Sequence, residues 1–86
     1  MAETQSFTML YFASAKDATQ TDSEKIEWSP SLDSTKLTAL LVERHPALKP
    51  ILAISMYAVN MEYTDDPSWT VQPNDEVAII PPVSGG

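Results

Sequence analysis

The side chains that usually carry catalysis are scarce in this 86-residue sequence. Cysteine is absent, which removes disulfides, thiolate metal sites and cysteine nucleophiles together. His45 is the only histidine, so neither a histidine metal cluster nor a serine–histidine triad is easy to build. It falls at the end of an expected helix, before Pro46, where an imidazole complements the helix dipole. Glu62, Asp65 and Asp66 form an acidic group. They lack the alternating ligand spacing and the turn glycine of a calcium loop, so a solvated hairpin is expected there and no metal site. With no pocket constellation in prospect, an autonomous enzyme is not expected.

The distinctive chemistry lies at the end of the chain. There are two glycines, and they are Gly85 and Gly86. Average usage of ~7% would give roughly six, scattered among turns. Pro81-Pro82 fixes two φ angles, so the chain leaves the preceding strand stiff and extended. From Pro81 the last residues reach roughly 20 Å at ~3.3 Å each. Beyond Ser84, Gly85 and Gly86 have no side chain and fit a channel too narrow for a Cβ. A terminal carboxylate is a poor electrophile. Adenylated by a partner with ATP, it becomes an acyl-AMP open to attack by sulfur or an amine. Gly86 then reads as a substrate for other enzymes, and the rest of the chain as its handle. Val83, beyond the sheet, is expected to be exposed and to serve with Ile80 as apolar contact for a partner.

Composition narrows the partners. Five basic residues against twelve acidic ones give a net charge of −7. That argues against nucleic acid and anionic membranes and favours a basic protein surface. No apolar run approaches the ~20 residues of a membrane span. No secretory or mitochondrial signal is evident, so a cytoplasmic location is expected.

The elements that must carry this tail can be read in outline. Residues 7–13 are β-prone and apolar on both faces toward their end, as in a central strand. Residues 14–22 are polar and read as a loop. Residues 23–28 alternate, with Ile26 and Trp28 on one side, which suits a half-exposed strand. Asp33 or Ser34 caps a helix that Pro46 ends near Arg44 or His45. Leu48, Ile51 and Leu52 return to the core on a short turn. Residues 54–60 predict a third strand, 69–71 a short fourth, and 76–80 the last, after a turn at Pro73-Asn74-Asp75. The expected core includes Leu37, Leu40, Leu41, Val59, Val77 and Ile79. This order predicts an α+β fold of β-grasp (ubiquitin-like) type. One main helix packs on one face of a mixed sheet, and the last strand is central and parallel to the first. Residues 1–80 form the domain and 81–86 an extended tail.

Residues 75–86, ending Pro81-Pro82-Val83-Ser84-Gly85-Gly86, closely resemble the C-terminus of the molybdopterin synthase small subunits, sulfur carriers of molybdenum-cofactor synthesis. Tyr11-Phe12-Ala13 resembles the family's opening strand, residues 37–41 its long helix, and Ala58-Val59-Asn60 the strand before its hairpin. Arg44-His45-Pro46 and Glu62-Tyr63 look most like the eukaryotic branch. Asn74 stands where many relatives have glycine, and Ile80 where many bacterial relatives have an aromatic. The resemblance implies a cycle with no resident cofactor. An ATP-dependent adenylyltransferase and sulfurtransferase converts Gly86 through a glycyl-adenylate to 1-thioglycine, a thiocarboxylate. The tail of residues 81–86 then enters the large synthase subunit, which holds the catalytic groups. There the sulfur builds the dithiolene on the precursor pterin (precursor Z). Two small and two large subunits form the implied heterotetramer. The alternatives are a sulfur carrier for thiazole or tRNA thiolation, a ubiquitin-like modifier joined to lysines through Gly86, and a non-covalent interaction domain.

Overall fold

The computed structural model describes residues 5–64 and 69–82. Along the chain run β1 (Ser6–Tyr11), α1 (Ala13–Thr19), β2 (Ser23–Glu27), α2 (Ser34–Arg44), a 3-10 turn (Pro46–Leu48), α3 (Lys49–Leu52), β3 (Met56–Val59), β4 (Glu62–Thr64) and β5 (Glu76–Ile80). The five strands form one sheet in the order β2-β1-β5-β3-β4. β5 lies in the middle, parallel to β1 with Met9 opposite Val77, and antiparallel to β3 with Ala58 opposite Ala78. This is the expected β-grasp arrangement.

Strand alternation sends Phe7, Met9, Tyr11, Ile26, Val77 and Ile79 to the helix side, where all are buried. Leu37 and Leu41 of α2 close over them, joined by Leu48 and Val71. Asp33 caps α2, its carboxylate accepting the Lys36 N–H at 2.9 Å, which supplies one of the bonds a helix start lacks. Leu40 and Val59, expected in the core, are only half-buried. At 3.6 residues per turn Leu40 points about 80° away from the midline of Leu37 and Leu41. Val59 is the last residue of β3, at the rim of the sheet. The ~2–5 kcal/mol cost of truncating a buried leucine therefore belongs to Leu37 and Leu41 rather than to Leu40.

Three further expectations fail. Residues 14–22 hold a helix, α1, which packs on β1, β5 and the 3-10 turn. Its buried contact is Ala15, too small to mark an apolar period. The fourth strand is 62–64 rather than 69–71. Asn60 and Met61, at φ 51 and 71, form a two-residue hairpin that folds Glu62–Thr64 back on β3. Thr70 makes a single bridge to Asp33. Around it, the Val71 N–H bonds Leu32 O and the Trp28 indole donates to Val71 O at 2.7 Å. These side-chain and loop bonds replace a ladder. The third strand is also shorter than expected, starting at Met56 instead of 54.

With glycine confined to the chain's end, turns fall to other residues. Ala13, Gln20, Ser31, Asn60, Met61 and Asn74 all take positive φ. Asn74, at φ 69, fills the turn before β5 as its amide chemistry allows. Ala13 and Met61 have no such excuse and carry backbone strain.

Candidate functional site

All the helices described lie on one side of the sheet, and among the described residues no helix covers the other face. Its β2 half is polar, with Ser23, Lys25 and Glu27 opposite Leu10, Thr8 and Ser6. Its β5-β3-β4 half is apolar. Ala58 and Ala78, directly paired, form a floor of small side chains. Leu10, Phe12, Met61, Tyr63 and Ile80 stand around that floor, with Glu76 as the charged member of the rim. A second hollow continues from the first across Tyr63 and Ile80 to Ile54, Met56, Pro81 and Pro82. Phe12, Ile54, Met56, Met61 and Tyr63 are the large apolar residues left exposed among those described, and all five line this surface. An apolar patch gathered in this way is the kind of surface that other molecules bind.

The patch ends where the tail begins. β5 stops at Ile80, Pro81 is buried and Pro82 is exposed. Ile80 is half-buried and borders both hollows, so the structure puts it on the exposed apolar face. Val83, Ser84, Gly85 and Gly86 lie outside the described residues, as do Asp65 and Asp66. Glu62 is exposed on β4. The sequence reading missed Met56, Met61 and Tyr63. A signal for the face, and for Met56 on it, was present: residues 56–59 and 77–80 are apolar on both faces, and one layer of helices covers only one.

Loop bonds brace the strand that feeds the tail. Asn60 donates from Nδ2 to Asp75 Oδ1 at 3.0 Å, and its Oδ1 accepts the Glu76 N–H at 2.9 Å. Asp75 Oδ2 accepts the Gln72 N–H at 2.8 Å. The β3-β4 hairpin and the turn before β5 are thus tied to each other at the edge of the patch.

His45 stands at the C-cap of α2, the helix-end position expected for it, and its imidazole has a side-chain partner as well. Glu24 Oε1 accepts the Tyr11 hydroxyl at 2.5 Å and lies 2.9 Å from His45 Nε2. Arg44 approaches the other oxygen at 3.4 Å. The Tyr11 and His45 rings meet edge-on, centroids 5.9 Å apart. The cluster joins β1, β2 and the end of α2 on the helix side, away from the apolar patch, and serves as a clamp. Burial raises the Glu24 pKa, but the bonds from Tyr11 and His45 and the Arg44 charge outweigh it, so the net shift is downward. Burial, then the Glu24 bond, pushes the Tyr11 hydroxyl well up. A carboxyl with a lowered folded pKa stabilises the fold above its unfolded value, and that contribution disappears as pH falls through the folded value. Glu24→Gln is therefore expected to lower stability near neutral pH. The gap to wild type should close as acid passes below the ordinary 4.5, as read by urea midpoints across pH. A gap independent of pH would show that the carboxylate charge is not what holds the clamp.

Comparison with known proteins places the chain among relatives. The model of the ThiS family matches residues 9–86. A molybdopterin synthase sulfur carrier subunit from Dictyostelium discoideum is 40% identical, over 93% of this chain and 95% of that protein. The crystal structure of SAMP1 from Haloferax volcanii superposes with a TM-score of 0.80 at 22% identity, covering 94% of this chain and 99% of that one. A chain from the complex of subunits 1 and 2 of the molybdopterin-converting factor of Helicobacter pylori gives 0.67 at 23% identity, covering 94% and 99%.

Proposed function

Since the chain belongs to the ThiS family, with molybdopterin synthase sulfur carrier subunits among its relatives, we propose that it is the sulfur carrier of a molybdopterin synthase. The observation that carries this is the family match running through Gly86, set beside an apolar sheet face that leads directly into Pro81 and Pro82. The face docks and the tail delivers.

An activating enzyme joins the Gly86 carboxylate to AMP, with pyrophosphate leaving. A sulfur donor then displaces AMP and leaves a thiocarboxylate. The domain docks its apolar face on the large subunit, and the stiff Pro81-Pro82 segment aims the end into that subunit's active site. The thiocarboxylate sulfur attacks the pterin precursor, and water then cleaves the acyl–sulfur bond, leaving the sulfur on the pterin and restoring the carboxylate. The reacting group of this chain is the Gly86 carboxylate, and the catalytic groups belong to the activating enzyme and the large subunit. The chain's other contributions are reach, slimness and a docking surface, with the −7 charge steering it toward basic partners. The Helicobacter pylori relative of this fold was itself solved in complex with subunit 2, which supports a large-subunit partner.

The test is intact mass after incubation with the cognate activating enzyme, ATP and a sulfur donor. Replacement of one oxygen by sulfur at the C-terminus is expected. Conjugation to lysines of other proteins, with no sulfur gain, would favour a modifier instead. No change at all would overturn both.

A further inference from the structure

The apolar face carries two methionines whose placement needs a reason. Met61 is 92% exposed and sits at φ 71, in the hairpin position that favours glycine or asparagine. A long apolar side chain there costs both exposure and backbone strain. Met56 is 48% exposed, directly paired with Ile80. The two flank Tyr63 on the patch that ends at Pro81 and Pro82. Met9, by contrast, is fully buried under the helices. The chain has no cysteine, so methionine is its only sulfur-bearing side chain.

We propose that Met56 and Met61 make the docking face an oxidation-sensitive switch, with a hydroperoxide as oxidant; this rests on the docking surface proposed above. A thioether lone pair attacks one oxygen of hydrogen peroxide. An S–O bond forms as the O–O bond breaks, the departing hydroxide takes up the remaining proton, and water leaves. Sulfur loses two electrons and the peroxide gains them. The product is a sulfoxide, polar and chiral where the face was apolar and adaptable. Burying that S=O dipole without a donor in a dry contact disfavours docking, whereas the fold, whose core excludes both residues, keeps its packing. Sulfur delivery would then stop under oxidative stress and resume once a methionine sulfoxide reductase restores the thioethers.

The experiment treats the full chain with hydrogen peroxide, maps each oxygen gain by peptide mass, and measures affinity for the cognate large subunit by calorimetry. Met56 and Met61 are expected to oxidise well before Met9. Affinity should fall on the order of tenfold to a hundredfold, and reductase treatment should restore it. A Met56→Leu/Met61→Leu chain, compared with its own untreated affinity, should show no peroxide effect. The proposal fails if Met9 oxidises first, if affinity survives mapped oxidation at both sites, or if the double leucine chain loses as much. Ile80→Asp is measured in parallel. If it abolishes binding while oxidation does nothing, the docking surface stands and the switch falls. If Ile80→Asp also binds normally, the docking surface itself is wrong.

Discussion

A single alanine added after Gly86 should abolish sulfur loading while the domain stays folded. The extra residue moves the carboxylate by ~3.3 Å. Displacement of a reacting group by ~1 Å costs on the order of 10²-fold in rate, so a full residue removes turnover for practical purposes. Gly85→Val and Gly86→Val should fail by another route, because a branched side chain collides with a channel shaped for glycine. None of these changes touches the core, which is built from residues 7 to 79, so the melting temperature should hardly move. The large subunit should still bind all three through the apolar face. The expected phenotype is a complex that assembles, makes no dithiolene and competes with wild type. Intact mass after activation, beside a pterin product assay, reads both halves. An extended chain that turns over sulfur at a normal rate, with its added residue still present, would defeat the mechanism.

The second large effect concerns Ile80. It borders both hollows of the open face and is the last strand residue before Pro81. Ile80→Asp places a carboxylate on the face proposed to dock, and an unpaired charge in a dry contact is strongly unfavourable. The few hot-spot residues that carry most of an interface's energy cost about 2 kcal/mol or more, about thirtyfold in affinity. The change also adds to a charge of −7, but a basic rim on the partner would not compensate at a desolvated centre. Its neighbours on the helix side, Val77 and Ile79, keep their burial, so circular dichroism and melting should stay near wild type. Tyr63→Ala, 66% exposed on the same patch, is the milder companion variant. Calorimetry against the large subunit decides: unchanged binding by a folded Ile80→Asp chain would remove this face from the interface.

Several features of this molecule are legible in its amino-acid sequence. The alternation of 23–28, the Asp33 cap, the stop at Pro46 and the apolar last strand depend on local chemistry, and they specify a two-layer β-grasp domain. The glycine-ended tail, stiffened by two prolines, and the functional expectation it supports are equally properties of the chain alone. Tertiary structure decided what depends on residues distant in sequence. α1 is held by one buried alanine and its neighbours, a signal too small for periodicity to register. β4 forms at 62–64 because Asn60 and Met61 accept positive φ and β3 offers a partner, neither of which local propensity reveals. His45 has its environment set by Tyr11 and Glu24, thirty-four and twenty-one positions away. The exposed apolar face is the largest such case. Leu10, Ala58, Tyr63 and Ala78 come from four strands, and only sheet order makes them neighbours. A strand apolar on both sides announces that two faces need cover; which face the helices leave open is settled by the crossover of the whole chain.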